Sequence, residues 1–456
     1  MKIQLSDHFT YKRLLRFVLP SILMILCTSV YSIVDGFFVS NFVGKTPFAA
    51  VNLIMPILMA VATLGFMVGT GGSAIVSKTM GEGKKELANE YFSMLIVVLL
   101  VAGIIVSALG FLFARPIAIM LGATDALLED CVLYARICFC AMPFFILQFA
   151  FQSFFVAAEK PGFSLVINIA AGVANGILDY LLIAVIPLGL AGAAIATAVG
   201  QVIGGLIPVI YFIRKNDSLL QITRFHMDFA VLGKVCANGS SEMVTNLSAS
   251  IVNVLYNFQL MKLAGENGIA AYGVIMYINI VFMAIFLGYS IGSAPIVSYH
   301  YGAGNHEELH NLFGKSMVFL TVSGVLLLLF SELLSRPLSA IFTSYDAELM
   351  ELTVRGFRIY SIAFLIMGIN VWGSSFFTAL NNGMVSALIS FLRTLVFQIV
   401  VIIILPLFLG VDGIWFSIVA AEIMALFVTM FFLLKKKKKK YKGENAKAIE
   451  YIRHQW

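Results

Sequence analysis

The amino-acid sequence predicts an all-α polytopic membrane protein whose 12 transmembrane helices form two pseudo-symmetric six-helix bundles. Three observations predict this: the composition, a succession of long apolar runs, and an internal repeat. Of 456 residues, 60% are hydrophobic and 12% charged, where soluble domains run near about 25% charged, and the mean hydropathy is +0.96. No water-soluble core hides so much apolar surface. The runs are long enough to cross a hydrocarbon layer of roughly 30 Å and are separated by brief polar breaks.

Read in order against their punctuation, the runs place spans near 14–42, 47–77, 90–114, 131–157, 161–186, 189–213, 235–263, 268–299, 313–335, 350–380, 383–409 and 411–434. The first is too long for a signal-peptide core and is expected to be retained. With both termini on one side, Lys12, Arg13, Arg16, Lys78, Lys84, Lys85, Lys160, Arg214, Lys215 and the run Lys435 to Lys440 share that side, against Lys45, Arg115, Lys262 and Arg336 opposite. The positive-inside rule then puts both termini in the cytoplasm and the protein in the cell (inner, cytoplasmic) membrane.

Shifted by 221 residues, the chain matches itself: Gly44 falls on Gly265, Ile75-Val76-Ser77 on Ile296-Val297-Ser298, Gly81 on Gly302, Arg115-Pro116 on Arg336-Pro337, and Gly189 on Gly410. One register held through each half is a repeat. Six spans per copy start both copies on the same side, so the copies are parallel and the seam between them is the expected cavity. The expected domains are a first lobe over 1–213, a cytoplasmic linker over 214–234, a second lobe over 235–434 and a basic cytoplasmic tail over 435–456.

Ionisable residues deep in a membrane are functional candidates by default. Asp35 follows Arg16 by 19 residues and Asp179 follows Lys160 by 19, so the two carboxylates sit at similar depth in spans 1 and 5. Tyr31 and Asn175 each precede one of them by four residues and share its helix face. Two aspartates in a low-dielectric pocket do not both ionise cheaply, so such a pair can hold and release one proton as a unit. The same oxygens could coordinate a hard cation such as sodium. Packing hydrogen bonds between helices are the plain alternative. Arg393 and Glu422, at comparable depth in spans 11 and 12, read as an ion pair, and Glu242, eight residues past Lys234, is near enough to the end of span 7 to snorkel.

Pro20, early in span 1, lacks an amide hydrogen and favours a bend. Cys27, Cys131, Cys138, Cys140 and Cys236 read as buried free thiols. His306 and His310 are spaced like metal ligands but fall in a loop without a third candidate. No phosphate-cradling glycine loop with Lys-Ser/Thr is present, which leaves ATP drive unsupported. The 39 phenylalanines, 16 tyrosines and 20 methionines suit a cavity for varied flat or cationic molecules.

Taken together, Leu19-Pro20 with Asp35, the Gly-x-x-x-Ile-Val-Ser blocks at Gly71 and Gly292, Asn175-x-x-x-Asp179 and the Gly-x-x-Gly starts of spans 6 and 12 resemble the multidrug and toxic compound extrusion (MATE) transporters over about residues 10 to 434. Within that family the chain is similar to the DinF-like branch of the MOP flippase superfamily. The resemblance implies Asp35 as the switching carboxylate, Asn175, Asp179 and Thr197 as its polar network, Tyr31 and Tyr134 as neighbours, and Pro20 as the bend. The NorM-like branch implies acidic residues in spans 7 and 10 instead; span 10 here carries no carboxylate between Ser361 and Asn370.

The expectation is a secondary antiporter and not an enzyme. It would export small organic, cationic and amphipathic molecules against protons or sodium ions, conferring antibiotic resistance, as a monomer in the bilayer with no cofactor and no nucleic acid. The rivals are a lipid-linked glycan flippase of the same superfamily, which favours a more basic cavity, and a membrane-embedded aspartyl enzyme, whose Gly-x-Gly-Asp block is not matched at Asn175-Gly-Ile-Leu-Asp179.

Overall fold

Helices are the structure a chain this apolar adopts, because only there does each segment satisfy its own backbone groups away from water. A computed structural model describes the backbone over 3–343 and 346–453, with the side chains at 32, 33, 37, 40, 41, 45 and from 436 onward outside the described set. Among the described residues there is no strand. The helices are α1 (Tyr11–Phe38), α2 (Lys45–Gly81), α3 (Lys85–Leu112), α4 (Ala114–Met120), α5 (Asp125–Ala157), α6 (Pro161–Asp179), α7 (Gly189–Ile213), α8 (Phe229–Gly302), α9 (His306–Thr343), α10 (Ala347–Ser361), α11 (Phe364–Ala379), α12 (Gly383–Phe391), α13 (Phe397–Leu409) and α14 (Val411–Arg453). Three π-helical turns, Val39–Val43, Tyr180–Val185 and Leu392–Val396, follow α1, α6 and α12.

Ten of these stretches are long and apolar enough to cross a membrane, eleven if α10 and α11, bent by 51° at their junction, count as one span. α8 has 74 residues, which unbroken would reach about 111 Å at about 1.5 Å per residue. It is interrupted at Gly265, where φ is 61° and ψ −151°, and divided there it supplies two spans, giving twelve among the described residues. Large apolar side chains such as Leu333, Leu407, Phe408 and Phe427 are exposed on the outside, as lipid contact requires.

The repeat is visible in the backbone. Gly189 and Gly410, 221 residues apart, have φ of 59° and 58°, and Gly83 and Gly304 have 79° and 67°, a left-handed region closed to most side chains. Two hydrophobic cores form, one for each half, but the first turns of the halves cross over. Leu14, Phe17 and Val18 of α1 belong to the second core, and Val231 and Val235 of α8 to the first.

At the end of the molecule that carries the start of α1, the halves meet backbone to backbone. A Cβ on Gly81 would stand 2.0 Å from the Tyr299 carbonyl oxygen, and one on Gly302 would stand 2.0 Å from that of Lys78. Position 78 maps to 299 and 81 to 302, so these are the two halves of one reciprocal contact about a pseudo-twofold axis. Gly71 against Val235 and Gly239, and Gly292 against Val18, form a second such pair. The segment before α1 adds a strap: the Leu5 amide donates to Glu159 Oε1 at 2.7 Å, the Phe9 amide to Glu308 Oε1 at 2.9 Å, and His8 Nδ1 lies 2.6 Å from Glu308 Oε2.

Several expectations need correction. The polar linker ends at Asp228, whose side chain caps α8 by accepting from the Val231 amide at 3.0 Å, so 229–234 are helical. His306 and His310 lie on α9. Cys131 and Cys138 are buried, but Cys27 and Cys236 are half-buried and Cys140 is exposed, as a small apolar thiol can be on a face turned to lipid. α14 continues as helix beyond 434, and the side chains of the basic run from 436 fall outside the described residues.

Candidate functional site

The acidic candidates stand where the helical ladder changes pitch. Asp35 comes four residues before the π turn Val39–Val43, and Asp179 ends α6 at the π turn Tyr180–Val185. Such turns insert one residue into the ladder and are frequent at functional positions. α6 packs against both α1 and α7, and this brings the side chains of Asn175, Asp179 and Thr197 to the Asp35 carboxylate. Small residues permit the approach: a Cβ on Gly200 would lie 3.3 Å from Asn175 Cβ, and one on Gly172 would lie 3.3 Å from Tyr31 Cβ.

All four residues are buried, with Asp179 0% and Asn175 2% exposed. Tyr134 on α5 faces Thr197 and Cys138, and Tyr31 lies within electrostatic reach of Asp35. The groups are close, yet Asp35 Oδ1, both Asp179 carboxylate oxygens, Asn175 Nδ2, Thr197 Oγ1 and the Tyr134 hydroxyl have no partner at good hydrogen-bond geometry among the described residues. A buried polar atom without a partner costs about 1–3 kcal/mol. Two carboxylates, an amide and hydroxyls form a hard-oxygen set of the kind that accepts a proton or an alkali cation. Pro20 lies inside α1, which runs as one helix from Tyr11 to Phe38.

The second bundle places Arg393 in the third π turn. Its Nε donates to both Glu422 carboxylate oxygens, at 2.9 and 3.1 Å, and Asn370 Nδ2 donates to the same carboxylate at 2.7 Å. The Arg393 and Glu422 side chains are 11% and 2% exposed. They line a cavity of about 300 Å³ with Tyr256, Tyr272 and Gln398, where the Tyr256 hydroxyl donates to Gln398 Oε1 at 3.0 Å.

A larger cavity of about 410 Å³ lies between the bundles, walled by α1, α2, α5, α8 and α11. Glu242 lines it, so this residue turns inward instead of snorkelling to the interface. Buried glutamines escaped the sequence reading because they carry no charge: Gln201 Oε1 and both polar atoms of the Gln152 side chain are buried without hydrogen-bond partners. The repeat held a clue to one of them, since Gln201 falls on Glu422 at the 221-residue shift and lies four residues from Thr197.

Two bundles that meet at a glycine seam, with a cavity between them and buried carboxylates in the first, have the parts of a membrane transporter. The MatE family model matches residues 20–181 and again 243–404, and the chain belongs to the MatE family. It is 24% identical over 428 residues to the multidrug export protein MepA of Staphylococcus haemolyticus, covering 93% of this chain and 94% of that protein. The MepA of Staphylococcus aureus strain MRSA252 is 23% identical over 421 residues, 92% of each chain. Among solved structures, an outward-facing multidrug resistance MATE family transporter of the MOP superfamily superposes with a TM-score of 0.91 at 22% identity, over 97% of this chain and 99% of that one.

Proposed function

We propose that this protein is a multidrug efflux antiporter that exports cationic, amphipathic organic molecules against protons or sodium ions. The observation that carries the reading is the convergence of Asp35, Asn175, Asp179 and Thr197 in the first bundle, buried and short of hydrogen-bond partners. A cation entering this site supplies what the carboxylates lack, and its departure returns them to a costly state, so occupancy biases the packing of α1 against α6. The two lobes rock about the glycine seam, and the cavity faces alternate sides of the membrane. The sealed end, with both termini, is the cytoplasmic one by its excess of lysine and arginine.

One cation moving inward across 100 mV supplies about 2.3 kcal/mol, or near fiftyfold in the gradient of an uncharged substrate. Export of a monovalent organic cation in exchange for one inward cation is electroneutral and draws on the chemical gradient alone. The glycan-flippase alternative loses support because the one deep basic residue of the second bundle, Arg393, is already held by Glu422.

The test is uptake of a fluorescent cationic dye into inverted membrane vesicles, driven separately by a proton gradient and by a sodium gradient, with wild type and Asp35→Asn. Uptake driven by one gradient and lost in the variant is expected. Undiminished coupled uptake in Asp35→Asn overturns the site.

A further inference from the structure

We propose that Glu242 reads the charge of the substrate, anchoring the cationic nitrogen of a flat aromatic molecule in the cavity between the bundles. The inference rests on the efflux reading above and gives that cavity its ligand chemistry. Glu242 is the one charged residue among those lining the 410 Å³ cavity. It sits three residues after Gly239, the point where α8 touches the Met67 carbonyl of α2, so its carboxylate marks the cavity floor just inside the seal. Its side chain makes no hydrogen bond or ion pair among the described residues. Arg393 acts on it electrostatically from the adjoining cavity, which Glu242 also lines, while Arg393 Nε donates to both oxygens of Glu422. No described side chain hydrogen-bonds the Glu242 carboxylate, which leaves its oxygens for an occupant of the larger cavity.

The rest of the lining suits an aromatic cation. Phe66 and Phe149 form one wall with ring centroids 4.2 Å apart, and Tyr277 and Met59 contribute a further ring and a thioether; aromatic faces attract cations and thioethers adapt to varied shapes. Polar groups near the floor also await a partner. Gln152, 1% exposed, lines the cavity with both side-chain polar atoms unbonded, and the Ser290 hydroxyl is buried and unbonded in the same way. Glu242 belongs to the second half of the chain, whereas Asp35 and Asp179 belong to the first. Substrate and coupling cation would thus bind on opposite sides of the seam.

The experiment measures ethidium binding to the purified full-length protein by fluorescence anisotropy, with an uncharged aromatic compound of similar size as the comparison ligand. Glu242→Gln is expected to weaken ethidium binding by about tenfold or more, with Glu242→Asp within about threefold of wild type and the uncharged ligand changed by less than about threefold. Ethidium affinity unchanged in Glu242→Gln overturns the proposal, and so does an equal loss for the uncharged ligand or in Glu242→Asp. If Glu242→Gln does not fold, carbodiimide labelling of wild type carries the test: ethidium should protect Glu242, and undiminished labelling overturns the assignment. Wild type that binds ethidium at Glu242 but does not move it under either gradient removes the antiport reading alone. Wild type that does not bind ethidium removes the proposal for Glu242.

Discussion

At position 35 the first bundle buries a carboxylate short of partners, while at the paired position 256 the second buries a tyrosine whose hydroxyl donates to Gln398. At 201 the first has an incompletely bonded glutamine, and at 422 the second has a glutamate held by Arg393 and Asn370. The frame is duplicated, but the polar interiors have diverged in kind. At these paired positions the first bundle leaves its polar groups unsatisfied, and the second satisfies them internally. If the proposed cation site holds, the difference teaches that buried charge in a membrane has two uses, which bonding status separates better than depth does.

Four sets of substitutions test this contrast, beginning with the largest effect. Asp35→Asn or Asp179→Asn should reduce gradient-driven dye uptake to that of vesicles lacking the protein, with the apparent melting temperature in detergent unchanged or raised; a lowered melting temperature would make the acidic pair structural. Arg393→Met should cost about 3–5 kcal/mol by stranding Glu422, read as a clear fall in melting temperature, and adding Glu422→Met should restore most of it. Should the double variant stay as unstable as the single, the pair is not a self-contained structural unit. Gly81→Val and Gly302→Val should each cost about 1–3 kcal/mol by forcing the seam apart, and to similar extents. Thermal unfolding that differs widely between them would break the symmetry of the seam. Glu308→Gln should cost least, about 0.5–1.5 kcal/mol from its weakened bonds to the Phe9 amide and His8, seen as faster proteolysis before α1; unchanged proteolysis would show that the strap contributes nothing.

The spans were legible because a helix that faces lipid must be apolar along its length, and the repeat because glycines at crossings and left-handed turns tolerate few substitutes. Asp35, Asp179, Arg393 and Glu422 stood out as rare charges in apolar runs. The bend between α10 and α11 did not, since Ile362 and Ala363 are neither proline nor glycine; there the Ile362 and Ala363 amides bond three residues back, to Ile359 and Tyr360, and the tightened turn redirects the chain. Glu308 was equally hidden. Besides Asn311, three residues on, its partners lie 299 and 300 residues away in sequence, and no local pattern announces so distant a contact. The placement of Glu242 on the cavity floor likewise depends on which face of α8 turns toward α2, which the distance from Lys234 leaves undetermined.

The strap of residues ahead of α1 bears on how the molecule can be handled. Leu5 and Phe9 are buried, and their amides are committed to glutamates in opposite halves of the chain. An affinity tag or fluorescent protein fused at this end would pull directly on a joint between the halves and alter transport without touching the cavity or the proposed cation site. Tests of the proposed rocking are better served by a reporter attached after α14.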